Sequence, residues 1–376
     1  MLKIEDLTSE LVKFKTINPK GESENFYDCV KFISEYFSQN GFSAEIKEFE
    51  KGWPTIIVKN NKDGKSILLN GHYDVVPIGD ITKWKYDPFS GKIVDNKVFG
   101  RGSTDMKGGL AVLINTFIKV ADKIDYNLIF TAVPDEETGG QKGSKYLAQL
   151  FSPDFVIVGE PTQGLINIGE KGLLQVKIIQ KGKSAHGSMP SLGENAIMKL
   201  VNDLVSLQKI QEIKINIPQE VEEGSQTLSN INPLLGNELK RISFNPGIIK
   251  GGIKVNVVPD LAESEIDMRI PPGISSEKAL ASVKELIKGD LEILDISEPS
   301  YSKGNYIDKF KEIVNAKTFL TTYATDGRYF RYKGIQTIAY GPGELNQLHT
   351  YNEYVKIDDL KFVEKNLEEY LTSIKF

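Results

Sequence analysis

ILLNGHYDVVP, Ile67–Pro77, opens as an uninterrupted apolar run and closes on a histidine and an aspartate. A short run of this kind, bounded by glycine and proline, suits a strand buried on both faces, as in a parallel sheet covered by helices. The same character recurs in TIIVKN (55–60), NLIFTAV (127–133) and FVIVGE (155–160). Between these runs, residues 108–124 (GGLAVLINTFIKVADKI) and 143–151 carry apolar residues at helical spacing. Strands alternating with helices predict an α/β layer fold.

The chain of 376 residues is too long for one ordinary core, and two domains are expected. After Glu170 the pattern changes. GLLQVKIIQKGKSAHG alternates in polarity like a half-exposed strand, and an amphipathic helix is expected over 196–210. Further strands are expected in TLSNINP, ISFNPGIIKGG and KVNVVPDLAESEIDMRI, and a helix over 275–288. This is the pattern of an inserted α+β domain at 172–285, within a domain formed by 1–171 and 286–376. The first pattern returns near Leu291, with a strand in QTIAYGPG and a closing helix over 357–374.

Composition narrows the function classes. Hydrophobic content of 40% and charged content of 26% fit a globular protein. A net charge of -5 gives no basic face for nucleic acid. No run reaches the roughly 18 to 20 apolar residues of a membrane span, and MLKIEDLTSELVKF lacks the core of a signal peptide. Cys29 is the single cysteine, so neither an internal disulfide nor a cysteine zinc cage is available. A cytoplasmic protein is expected.

The residues with chemistry fall where buried strands stop. His72, one of three histidines, ends the first quoted run, with Asp74 two positions on. Such a carboxylate can steady an imidazole that holds a metal, although a histidine satisfied in a turn is the simpler reading. Asp105 lies in GRGSTDMKGG, ahead of a helix, where an N-cap is the ordinary role. PDEETGG places Glu136 and Glu137 after a strand, as a solvated loop or as a ligand beside a general base. VGEP ends a buried strand on Glu160, which asks for a cationic partner. His349 follows the last apolar strand in AYGPGELNQLHTYNEY. Ligands of open α/β sheets bind beyond the carboxyl ends of the strands. Two histidines and several carboxylates collected there make a mixed N/O site suited to zinc, with cobalt or manganese as substitutes. Asp105, Glu137 and Glu160 carry -3, which two divalent ions and one hydroxide would balance.

These segments, in this order, resemble the zinc aminoacylase and carboxypeptidase family of acetylornithine deacetylase and succinyl-diaminopimelate desuccinylase. The resemblance rests on GHYDVVP, GRGSTDMKGG, DEETGG, VGEP, GKSAHGSMP, NVVPD with IDMR, and GPGELNQLHTYNEY, which span nearly the whole chain. It implies a mixed-sheet, three-layer αβα zinc-hydrolase domain with an inserted α+β dimerisation or lid domain. It implies two zinc ions per subunit, roughly 3.5 Å apart as in paired-metal sites. His72 and Glu160 would hold one, Glu137 and His349 the other, and Asp105 would bridge them through a loop with a cis Asp105–Met106 peptide. Glu136 would be the general base for a metal-bound hydroxide attacking an amide carbonyl, and Asp74 would orient His72.

By the same resemblance, His186 would reach the active site of the partner in a homodimer and stabilise the oxyanion. Asn256 and Arg269 would contact substrate, with an ion pair to Asp267 or Glu265 as the alternative for Arg269. The substrate would be a small N-acyl-amino acid, or a peptide if the protein is a carboxypeptidase or dipeptidase. Desuccinylases of the family bind the substrate carboxylate with a GGTSDGR-like segment. Here TTYATDGRYF (321–330) keeps Asp326, Gly327 and Arg328 but lacks the paired glycines and the threonine before them, which sets it apart from a strict succinyl-diaminopimelate enzyme. A non-catalytic metal- or amino-acid-binding protein could dispense with Glu136 and His186, yet both are present. A phosphoesterase lacks support, since no phosphate cradle is evident.

Overall fold

A computed structural model describes residues 1–19 and 24–375, which divide into two units. The first comprises Met1–Ile168, Ser302–Thr318 and Thr325–Phe376, and the second Gly169–Tyr301 with Phe319–Ala324.

In the first unit four parallel strands lie side by side in the order Asn127–Val133, Ser66–His72, Phe155–Pro161, Gln336–Gly341. Their registers align Ser66 with Asn127, and Ile67 and Gln336 with Phe155, so all four carboxyl ends share one edge. Pro54–Lys59 and then Ala44–Glu48 extend the sheet antiparallel on one side. Phe155–Pro161 is buried at every position, as a central strand covered on both faces requires.

Alternate residues serve opposite faces. Leu68, Ile129, Val156 and Ala339 pack with Leu147 and Phe330, from helices Ser144–Leu150 and Gly327–Arg331. On the other face, Phe130 meets Phe37 of helix Glu24–Gln39, and Phe37 meets Phe117 of helix Gly108–Val120. This is the expected three-layer arrangement. The helix Gly108–Val120 sits unusually close to the sheet. A Cβ on Gly109 would fall 1.8 Å from Gly159 O, so glycine is required there.

The second unit is an antiparallel sheet in the order Asn245–Gly251, Leu261–Ile270, Gly172–Lys181, Asp290–Ser297. Its core joins Leu174, Val176, Ile178, Ile266 and Met268 of the sheet to Leu200 of helix Ala196–Leu207 and Val283 of helix Ser276–Leu286. Two expectations need correction. TLSNINP is not a strand: it closes the helix Gln219–Ile231, after which the Asn232 side chain accepts from Leu234 N and caps a new helix started by Pro233. The inserted segment also does not end at 285. The strand Asp290–Ser297 pairs with Gly172–Lys181 and completes its sheet, so this unit runs on to Tyr301.

No helix among the described residues is long and apolar enough to cross a membrane.

Candidate metal centre

The strand Ser66–His72 ends on a histidine that is almost wholly buried. His72 Nδ1 lies 3.0 Å from the Asp74 carbonyl oxygen and 3.3 Å from Asp74 Oδ1, which leaves Nε2 directed away from Asp74. Nε2 is 3.2 Å from Asp105 Oδ1 and 3.5 Å from Glu160 Oε1. The other oxygen of the same aspartate, Asp105 Oδ2, lies 3.2 Å from His349 Nε2, and His349 Nε2 lies 3.1 Å from Glu137 Oε2. Asp105 therefore stands between two imidazoles, one oxygen toward each. Two ligand groups result, His72 with Glu136 and Glu160, and Asp105 with Glu137 and His349, each with donor atoms mutually within 4.8 Å.

Local structure explains how each side chain arrives. Pro134 and the short helical turn Glu136–Thr138 break the strand direction after Val133, so consecutive glutamates can both face the site. Asp74 accepts the backbone N–H of Glu136 on Oδ1 and that of Glu137 on Oδ2, each at 3.2 Å, so one carboxylate fixes His72 and the turn together. The Asp105–Met106 peptide is cis, as the resemblance implies. His349 takes a left-handed φ of 58°, uncommon for a side chain with a Cβ.

The site is anionic, with His72 and Glu160 buried, Asp105, Glu136 and Glu137 half-buried and His349 exposed. Burial raises Glu136 well above the carboxylate range, and the charge of Glu160 adds to it. Burial likewise raises Glu160, against the neighbouring His72. Glu137 is pushed up to about 7 by burial and the charge of Asp105. Burial would raise Asp105 too, but hydrogen bonds from His349 and His72 prevail and hold it well below its ordinary value. His349 is raised to about 10, first by its hydrogen bonds to Asp105 and Glu137. Glu137 Oε1 is buried without a hydrogen-bond partner. Carboxylates crowded at the strand ends, with a buried unpartnered oxygen of Glu137 among them and two imidazoles facing a shared aspartate, fit divalent cations.

Peptidase family M20/M25/M40 matches residues 68–373. The chain belongs to this family. M20 members are metallohydrolases acting as peptidases and amidohydrolases, and the chain is an enzyme of that class. It is 30% identical over 408 residues to an uncharacterized metallohydrolase of Methanocaldococcus jannaschii, covering 94% of this chain and 95% of the relative. It is also 30% identical over 389 residues to succinyl-diaminopimelate desuccinylase of Orientia tsutsugamushi, covering 95% and 92% of the two chains. Its fold resembles that of an M20 family metallo-carboxypeptidase from Sulfolobus solfataricus, with a TM-score of 0.78, 22% identity and 99% of each chain covered.

The remaining expected site residues of this M20 chain lie in the second unit. His186 is exposed, with Nδ1 2.7 Å from Ser188 Oγ. Its loop is stitched to that of Asn256, whose carbonyl accepts from Gly187 N at 2.8 Å. Arg269 forms a two-pronged ion pair with Asp267, Nε to Oδ1 at 2.9 Å and Nη2 to Oδ2 at 3.1 Å, the alternative foreseen for it. In the first unit, Arg328 donates to Gly139 O at 2.7 Å, and so braces the turn that carries Glu136 and Glu137.

Three supporting residues escaped the sequence reading. Asn18 donates to Asp74 Oδ2 at 2.9 Å, Arg101 pairs with Glu353 at 2.7 Å, and Glu353 accepts from the Asp105 loop. For Asn18 no local signal existed. For Glu353 the one clue was an acid four places after His349.

Proposed function

We propose that the protein is a two-metal amidohydrolase that cleaves N-acyl-amino acids in the manner of a deacetylase or desuccinylase. The observation that carries this reading is Asp105 placed between His72 and His349, with Glu160 and Glu137 completing a ligand group on either side. His72, Glu160 and Asp105 would hold one zinc ion, and Glu137, His349 and Asp105 the other, with cobalt or manganese as substitutes. When bound, such ions polarise the scissile carbonyl and make water a better nucleophile at neutral pH.

Glu136 is the general base. Its carboxylate stands beside His72 and Glu160, on the turn that Asp74 fixes, where it can take a proton from the attacking water and deliver it to the leaving amine. The water oxygen bonds to the carbonyl carbon, the C–N bond breaks, and the amine departs with that proton. Asp74 keeps His72 and the Glu136 turn in register. His186 of a partner subunit stabilises the oxyanion and Asn256 binds substrate, whereas Arg269 is held by Asp267.

The second unit is the dimerisation domain. Its edge strand Asn245–Gly251 is exposed throughout, and Met198, Val201 and Val205 present apolar surface on the helix Ala196–Leu207, which supports pairing with a second copy. A carboxypeptidase or dipeptidase activity is the second reading. It is favoured by the altered TTYATDGRYF segment, in which Arg328 braces Gly139.

The test is hydrolysis by zinc-loaded protein of N-acetyl-ornithine, N-succinyl-diaminopimelate, further N-acyl amino acids and dipeptides. Turnover of an acylated amino acid, abolished by chelation and restored by zinc, is expected. Preference for dipeptides would select the second reading, and absence of any amide hydrolysis would overturn both.

A further inference from the structure

Glu353 has no exposed surface, yet it is a carboxylate. Its Oε2 accepts from Arg101 Nη1 at 2.7 Å and from Gly102 N at 3.0 Å. Its Oε1 accepts from Thr104 N at 2.8 Å and from Asp105 N at 3.1 Å. Its carbonyl oxygen accepts from Gly100 N at 2.9 Å, and Thr104 Oγ1 donates to the next carbonyl, that of Tyr354, at 2.6 Å. Almost the whole path of residues 100–105 is thus written onto one short stretch of a distant segment, 248 positions along the chain from Asp105.

That segment is the one that carries His349. Glu353 lies four residues after it, immediately before the strand Tyr354–Lys356, which pairs with Lys97–Phe99. Arg101 closes the connection by donating to Thr350 O at 3.2 Å. Burying a carboxylate is costly, and burial does raise this group, against the charge of Arg101. A group so placed has consequences for whatever the two segments present together.

We infer that Glu353 is a positioning residue that fixes Asp105 relative to His349, so that both meet the same metal. The inference rests on the metal reading of Asp105 and His349 given above. Glu353 touches neither metal nor substrate, and acts only through the Asp105 loop. Both of its oxygens face two donors each. Glutamine has the same shape but one acceptor oxygen, so its NH2 group would oppose either Arg101 and Gly102 or Thr104 and Asp105.

The experiment compares Glu353→Gln with Arg101→Gln. Both break the same buried ion pair, but only the first removes an acceptor from the loop amides. Two readouts are taken: hydrogen exchange at residues 102–105 in metal-free protein, and zinc affinity against a competing chelator. Glu353→Gln is expected to speed exchange in this loop by roughly tenfold or more relative to Arg101→Gln. It should also weaken zinc binding by about 10- to 100-fold, the usual effect of losing a group that holds a ligand in place, while Arg101→Gln changes it far less. Should Glu353→Gln fail to fold, the double variant Arg101→Gln with Glu353→Gln removes the unpaired arginine and is expected to show the same losses.

Wild-type exchange or wild-type zinc affinity in a folded Glu353 variant overturns the inference. So does a pair of variants that lose zinc equally. If neither Glu353 variant folds while Arg101→Gln does, Glu353 is a folding residue and the inference is wrong. A wild-type protein that binds no zinc would instead defeat the metal reading, with the exchange measurement still reporting on the loop.

Discussion

His349 Nε2 lies 3.1 Å from Glu137 Oε2, a distance at which the ion-free imidazole keeps a proton between two acids. Its raised value near 10 expresses this, and His72 is also raised well above its ordinary value: burial would lower it, but the charge of Glu160 and bonds to Asp105 and Asp74 prevail. Metal ligands must be deprotonated. Zinc loading near pH 7 should therefore release protons, from both imidazoles and from the raised carboxylates of Glu137 and Glu160, and affinity should fall as pH falls. Calorimetry in buffers of different ionisation enthalpy measures the release. Loading without proton release would remove both histidines from the ligand set. His349→Ala should lower zinc content below two per chain, and full occupancy in that variant would exclude His349.

Glu136→Gln separates the base from the ligands. The amide keeps the shape but accepts no proton, so turnover should drop by on the order of 10² to 10⁴ with zinc content unchanged. Wild-type turnover would defeat the assignment. Loss of zinc would make Glu136 a ligand, which its place beside His72 and Glu160 also allows chemically.

His186→Ala should keep its zinc and lose roughly 10²- to 10³-fold in turnover, the effect of one missing oxyanion donor. Mixing these chains with Glu136→Gln chains under subunit exchange tests the dimer. A mixed dimer has one site with both groups intact, so activity should return toward about a quarter of wild type per chain for random pairing. Confirmed exchange without recovery would mean that His186 does not act in trans.

Lys171 offers a prediction about stability. It is buried in the second unit, donates to the carbonyls of Glu238 and Arg241, and is lowered to about 7, chiefly by burial. The unfolded lysine holds its proton to near 10.5, so between about 7 and 10.5 the unfolded state binds more protons and stability rises with pH. Wild type should gain on Lys171→Met by up to about 1.4 kcal/mol per pH unit over this window. Denaturant midpoints at pH 7, 8 and 9 measure the difference, and a gap that stays constant would refute the shift.

Much of this protein was legible in its sequence because strand period and strand ends are local properties. The continuous apolar runs of 55–60, 127–133 and 155–160 specify strands buried on both faces. A histidine or acid just past such a run must lie at the carboxyl edge of a parallel sheet. His72, Asp105, Glu136, Glu137, Glu160 and His349 stand out in the chain alone, and the fold brings these six together. Local pattern misleads where long-range pairing disagrees with it. TLSNINP has strand-like composition, but Asn-Pro makes a helix cap of its end. Residues 290–297 have no local feature that tells which sheet they join, and pairing with Gly172–Lys181 decided it.

What only the tertiary structure decided is which group serves which. Hydrogen bonding over a separation of 248 residues leaves no periodicity, so Glu353 could not be connected to Asp105 from the chain alone. The same holds for Asn18 beneath Asp74, and for Arg328 on the carbonyl of Gly139. The sequence determined the chemical types at the strand ends, because those depend on neighbours along the chain. The fold determined their division into two groups around Asp105, because that depends on oxygen and nitrogen atoms brought within 3.5 Å of one another by packing, and packing is a property of the whole unit.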